Sequence, residues 1–185
     1  MSQTQIDHEM QMFLEPTDDK LYELVEGKLV EKKMATLAVW VAGRILVPIS
    51  KYLDEHDLGW ATTELPINCF PWLTRHGRRP DACFFNYDRH PGPDNEQVLV
   101  APNLVIEVIS PGDNVVYLER KIDEYFKAGV DLIWIVNPEN QTVRIQRTDG
   151  TGNFLHAHDS ITGETVLPGL SVRVSEFFPK PKVKA

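Results

Sequence analysis

The sequence predicts an α/β fold, a mixed β-sheet flanked by helices with an N-terminal hairpin and a long helix. Three observations carry this prediction. Leu104-Val105-Ile106-Glu107-Val108-Ile109 is apolar on both alternating sides except at Glu107, the pattern of a strand covered on both faces. Leu132 to Val136 repeats that pattern one helix length later, so strand, helix and strand imply a parallel pair joined by a right-handed crossover. Thr142 to Arg147 alternates cleanly before Asp149-Gly150 and reads as an edge hairpin strand.

The remaining elements follow in order. The first 15 or so residues are polar and rich in Met and Gln. Leu21 to Val30 reads as a hairpin turning at Glu26-Gly27, because glycine accepts the positive φ such a turn needs. From about Ala35 to Glu55, the residues Leu37, Trp40, Val41, Arg44, Ile45, Tyr52 and Leu53 trace a helical stripe. Pro48 is expected to kink or break this helix, and Gly59 suits its end. Trp60–Ile67 and Arg79–Phe85 read as strands, and Tyr87–Asn95 as an exposed loop. Asp113 and Asn114 are N-cap candidates for a helix from about Val115 to Ala128, stopped by Gly129. The expected organisation is a polar segment over 1–19, one domain over 20–178, and a flexible basic tail over 179–185.

A chain of 185 residues with 42% hydrophobic and 25% charged content suits one globular domain with a real core. No run reaches the roughly 18–20 apolar residues of a membrane span, and the start lacks the pattern of a secretory leader. The expectation is therefore a cytoplasmic protein with no membrane partner. Cys69 and Cys83 form no ligand spacing and read as reduced thiols. The net charge of −8 argues against coating nucleic acid by bulk electrostatics. It leaves room for a local basic patch assisted by a bound divalent cation. Arg75, His76, Arg78 and Arg79 form the densest basic cluster, read either as a solvated loop or as such a patch.

Glu107 is the most informative residue. A carboxylate inside a doubly covered strand loses hydration worth several kcal/mol, unless a cation, a donor or a proton compensates. Arg79-Pro80-Asp81 opens another apolar run, Ala82 to Phe85. On the helix after Glu107, the residues Leu118, Ile122, Tyr125 and Phe126 share an apolar arc with Val115. Lys121 falls about 60° off Leu118 and borders that arc, the lysine best placed to reach back to the strand end. Each residue has a bland reading: Glu107 paired with an arginine, Asp81 as a turn residue, Lys121 snorkelling at a helix flank. Two acids on adjacent strands with a lysine nearby suit Mg²⁺ or Mn²⁺ and phosphodiester chemistry. His156-Ala157-His158 lacks a third ligand and reads as surface.

The blocks Tyr22-Glu23-Leu24-Val25-Glu26-Gly27, Arg79-Pro80-Asp81, Leu104 to Pro111, Lys121 to Tyr125, Ala128-Gly129-Val130 and Trp134 to Pro138 stand in an order that resembles the Uma2 family. The closing Leu167-Pro168-Gly169-Leu170 and Phe177-Phe178 are similar too, so the resemblance covers about residues 20–178. That family is a domain of unknown function described as candidate restriction endonucleases. The resemblance implies the PD-(D/E)XK nuclease fold, a restriction-endonuclease-like mixed sheet flanked by helices. It implies Asp81 and Glu107 as metal ligands and Lys121 as the catalytic lysine, since Ile109 fills the place two residues after the second acid. It also implies an early glutamate, Glu26 or Glu31, with Glu64 as another candidate acid. Members often carry a histidine near the start of the long helix, and Ala35–Val41 has none.

The expected function is Mg²⁺- or Mn²⁺-dependent hydrolysis of DNA phosphodiester bonds, with Arg78 and Arg79 as candidate phosphate contacts. A homodimer is expected because one site per chain cuts two strands most simply by symmetry. The competing class is a non-catalytic nucleic-acid-binding or regulatory module on the same fold.

Overall fold

The computed structural model describes residues 3–33, 35–93 and 97–180. Most of the tail expected over 179–185, and the Asp94–Asn95 end of the predicted loop, lie outside the described residues. The chain begins with helix α1 (Gln3–Leu14) and an antiparallel hairpin, β1 (Leu21–Val25) and β2 (Lys28–Lys32). Glu26 and Gly27 both take positive φ, 50° and 79°, as a two-residue hairpin turn requires. Helix α2 (Thr36–His56) follows, then β3 (Gly59–Thr63), β4 (Ala82–Asn86) and β5 (Leu104–Val108). Helix α3 (Val115–Ala128) leads to β6 (Leu132–Asn137), β7 (Thr142–Arg147) and β8 (Gly152–His156). A second hairpin, β9 (Ser160–Gly163) and β10 (Leu167–Arg173), and a 3₁₀ turn over Val174–Phe177 end the fold.

Strands β3 to β8 form one six-stranded mixed sheet in sequence order. Only β5 and β6 run parallel, and α3 is the connection between them. Each face of the sheet carries its own core. Ile45 and Ile49 of α2 pack with Phe84, Ile106, Trp134 and Phe177 on one side. Ile122 and Tyr125 of α3 pack with Phe85, Val105 and Ile133 on the other. Each such side chain contributes about 1.5–3 kcal/mol on burial, so both helices are anchored mainly by apolar contact with the sheet.

Several expectations are corrected. Helix α1 arises from a segment with no strong periodicity and is docked by Phe13, which is fully buried. A Cβ on Gly77 would meet the Phe13 ring at 2.4 Å, so only glycine allows that approach. Helix α2 runs through Pro48 as one element and ends at Asp57, in the left-handed region at φ 48°, with Gly59 already in β3. By length and composition α2 could cross a membrane. Its buried residues Ala38, Val41, Ala42, Ile45, Ile49 and Leu53 face the sheet core, while Leu37, Val39, Trp40 and Val47 are exposed. Strand β7 is internal, since β8 pairs with its outer side. Val115 and Val116 are exposed, and the buried side of α3 is Lys121, Ile122, Glu124 and Tyr125. Asn114 caps α3 by accepting from the Val116 and Tyr117 amides, while Asp113 accepts from Ser110 N.

Candidate active site

Antiparallel pairing sets Ala82 of β4 opposite Ile106 of β5. One step further, the same register sets Asp81 opposite Glu107. Ala82 and Ile106 face the α2 core, so strand alternation turns Asp81 and Glu107 to the α3 side. Asp81 Oδ2 accepts the Val108 amide at 2.5 Å, which pins the carboxylate to β5 and turns Oδ1 towards Lys32. Glu107 Oε1 accepts from Tyr125 Oη at 2.8 Å. Lys121 Nζ lies 2.8 Å from Glu107 Oε1 and 2.9 Å from Oε2. Burial raises the Glu107 carboxyl above its ordinary value, and the Asp81 charge adds to that against the pull of Lys121. Burial lowers Lys121, but Glu107 and Glu23 outweigh it, so the amine is held strongly as an ammonium.

Glu23, in the middle of β1, completes this cluster and was not singled out from the sequence. Its Oε1 is 2.9 Å from Lys121 Nζ, and its Oε2 accepts from Tyr117 Oη at 2.7 Å and Arg78 Nη1 at 2.8 Å. Burial pushes Glu23 up, but the charges of Lys121 and Arg78 outweigh it and hold the carboxyl ionised. The same reasoning that exposes Glu107 applies to Glu23, a lone acid between Tyr22 and Leu24 in a short apolar strand. The second missed residue is Lys32, at the end of β2. Its Nζ lies 2.7 Å from Asp81 Oδ1, 2.7 Å from Glu64 Oε2 and 3.0 Å from Glu64 Oε1, and donates to Arg79 O at 2.7 Å. In the sequence it sits within Glu31-Lys32-Lys33, a solvated-looking charge run that gives no signal.

The structure therefore brings together Asp81, Glu107, Lys121 and Glu64, joined by Glu23 and Lys32. It does not bring in the two early glutamates. Glu26 pairs with Arg120 at the surface at 2.5 Å, its side chain 62% exposed. Glu31 pairs with Lys20 at 3.0 Å and reaches only the outer wall of the cleft. In an alternating strand, Glu23 is the acid of this hairpin that turns inward.

The basic cluster is also corrected. Arg78 is fully buried, with Nε 2.8 Å and Nη2 2.7 Å from Glu124 Oε2 and Nη1 on Glu23. Arg79 donates to the backbone oxygens of Glu64 at 2.6 Å, Tyr22 at 3.3 Å and Phe13 at 2.5 Å. Neither guanidinium reaches solvent where a phosphate would approach. They clamp α1, β1 and α3 to the strand entering Asp81. His76 is fully buried, takes the Glu26 amide at Nδ1 and meets Glu124 Oε2 at 3.0 Å through Nε2. His156 and His158 stack 5.8 Å apart, with His158 Nε2 3.5 Å from Asp159, away from this cluster.

The acids open into a cleft of about 250 Å³ bounded by β1, β2, the end of β5 and the start of α3, with Lys33, Ser110, Asn114 and Tyr117 in its walls. Among the described residues, no three Asp, Glu, His or Cys side chains already converge as a ligand set. The acids are bridged by ammonium groups instead. Their donors are nonetheless all hard oxygens, the chemistry that Mg²⁺ or Mn²⁺ takes. Burial raises Glu64 to about 7 despite Lys32, with Asp81 and Glu107 adding to the rise.

A mixed sheet flanked by helices, with buried acids at the ends of its central strands and a lysine reaching them from the flanking helix, defines a restriction-endonuclease-like α/β protein. The chain belongs to the Uma2 family, described as "Putative restriction endonuclease", whose model matches residues 8–175. Among solved structures it is similar to a protein of Anabaena variabilis described as "a putative nuclease belonging to DUF820". The TM-score is 0.76 at 22% identity, covering 91% of this chain and 96% of that one. At that identity the likeness speaks for the fold. No curated protein matches the chain.

Proposed function

We propose that this protein is a Mg²⁺- or Mn²⁺-dependent endonuclease that hydrolyses DNA phosphodiester bonds. One observation carries the reading. Asp81 and Glu107, opposed across two strands in a cleft, share their surroundings with a lysine held as an ammonium. Asp81, through the Oδ1 that now faces Lys32, and Glu107 would hold the ion, with Glu64 as the nearest further acid. When bound, such an ion polarises a phosphoryl oxygen and lowers the pKa of a water.

The chain's own residues do the rest. Val108 N–H fixes the Asp81 carboxylate, and Tyr125 Oη fixes Glu107. Lys121 stays protonated near neutral pH, so it cannot accept a proton from water. It orients Glu107 and offers positive charge to a phosphate as charge develops. The acidic cleft repels a polyanion, and Lys33 on its rim with Lys121 inside supplies the local attraction. Cutting both strands calls for two copies, and a homodimer is part of this reading.

The second reading, a non-catalytic nucleic-acid-binding or regulatory module, draws support from one feature. Lys32 and Lys121 already neutralise the acids pairwise. Nicking of supercoiled plasmid with Mg²⁺ and with Mn²⁺ separates the two. Metal-dependent nicking by wild type, lost in Glu107→Gln, supports the nuclease. Equal residual nicking by both proteins would trace it to a contaminant and favour the module.

A further inference from the structure

Lys32 has no role in the mechanism above, yet it occupies the most oxygen-rich position in the cleft. Four oxygens surround its Nζ at 2.7–3.0 Å: Asp81 Oδ1, Glu64 Oε1 and Oε2, and the Arg79 carbonyl. Two carboxylates and a backbone carbonyl form an oxygen set that a hard divalent cation would also take. The side chain comes from β2, outside the main sheet, so it reaches the pair on a flexible four-carbon stem. Lys121 differs, because it stands on a helix locked to the sheet and is clamped between Glu23 and Glu107.

We propose that Lys32 is a tethered cation that holds the Asp81–Glu64 pair and is displaced when a divalent metal ion binds there. This rests on the metal-dependent reading and adds to it. Metal affinity is set by competition with a built-in ammonium, and metal entry frees a lysine at the mouth of the cleft. Once released, Lys32 stands beside the acids with its charge unspent, where a phosphate would lie.

The test is calorimetric titration of Mn²⁺ into wild type, Lys32→Met and Lys32→Arg, with Asp81→Asn as control. Removing the competitor should tighten Mn²⁺ binding by about ten- to a hundredfold in Lys32→Met, the change that one charge-assisted hydrogen bond carries. Lys32→Arg keeps the charge and should stay within a few-fold of wild type. Equal or weaker affinity in Lys32→Met, with wild type binding, overturns the role of Lys32 and leaves the metal reading standing. No Mn²⁺ binding by wild type or Lys32→Met overturns both. A second measurement needs no folded Lys32→Met. In nitrogen-15 spectra of wild-type lysine ammonium groups, with Lys32 assigned by its loss in Lys32→Arg, Mg²⁺ should abolish the protected Lys32 signal and retain that of Lys121. A Lys32 signal unchanged at saturating Mg²⁺ counts against displacement.

Discussion

Asp81 Oδ2 accepts the backbone amide of Val108 at 2.5 Å. This bond ties the acid that precedes β4 to the strand that carries Glu107. It divides the work of one carboxylate, with one oxygen structural and the other turned to a cation. The bond also ends the β4–β5 ladder, because Val108 N–H is satisfied by a side chain where a further strand partner would otherwise be needed.

Asp81→Asn separates these two roles. The asparagine carbonyl can still accept from Val108 N–H, while the charge facing Lys32 disappears. The expected outcome is a folded protein, destabilised by about 1–3 kcal/mol, with Mn²⁺ binding lost. Urea denaturation and calorimetry read the two effects. Retained Mn²⁺ affinity would remove Asp81 from the ligand set.

Lys121→Met removes the ammonium shared by two buried carboxylates, leaving Glu107 with no cation partner among the described residues and Glu23 with Arg78 alone. Breaking a buried pair from one side costs about 3–5 kcal/mol, so this variant should be among the least stable single mutants of the domain. Adding Glu107→Gln removes one uncompensated charge and should recover part of the loss. A double-mutant cycle in urea checks this, and strict additivity would contradict the coupling.

Arg78→Lys tests whether the buried arginine is scaffold or nucleic-acid contact. A lysine cannot span Glu23 and Glu124 with separate nitrogens as the guanidinium does. Stability should fall by up to about 3–5 kcal/mol. The salt dependence of duplex binding by the folded protein should not change. A loss of about one unit in the log–log salt slope would instead mark a phosphate contact.

Two acids should bend the pH profile of stability in opposite directions. Burial pushes Glu124 up, but the His76 hydrogen bond and Arg78 outweigh it and hold its carboxyl at about 2, below the ordinary 4.5. Its contribution is present above about 4.5 and is lost as pH falls towards 2. Glu64 is raised to about 7, chiefly by burial, so its contribution is present below 4.5 and lost as pH rises through 7. In metal-free buffer, Glu124→Gln should flatten the acid limb of the urea-midpoint profile, and Glu64→Gln the limb between 4.5 and 7. An unchanged slope in that upper window for Glu64→Gln would contradict the assignment.

Much of this molecule was legible in the chain because single residues stood against a clear background. Glu107 is conspicuous inside Leu104–Ile109, and Asn114 and Gly129 punctuate α3 at both ends. Glu23 obeys the same logic as Glu107, whereas the family resemblance points to Glu26 or Glu31 as the early acid. Lys32 could not be found this way, because a lysine among charged neighbours is ordinary until the fold brings Glu64 and Asp81 to it. The Arg78–Arg79 pair misled for the converse reason. Clustered arginines look solvated or phosphate-seeking, and only tertiary structure supplies the buried Glu23, Glu124 and backbone carbonyls that consume them. Helix α1 has little pattern of its own, and its place is fixed by the contact of Phe13 with Gly77.

The most direct test of the central claim is single-turnover cleavage of a pool of random-sequence DNA duplexes, which removes dependence on an unknown recognition site. Wild type and Glu107→Gln would be compared with Mg²⁺, Mn²⁺ and chelator, and the new ends sequenced. The account predicts new 5′ and 3′ ends that require metal and wild-type Glu107. A pool left intact by wild-type protein that binds Mn²⁺ and duplex would contradict it, leaving a nuclease fold used for binding alone.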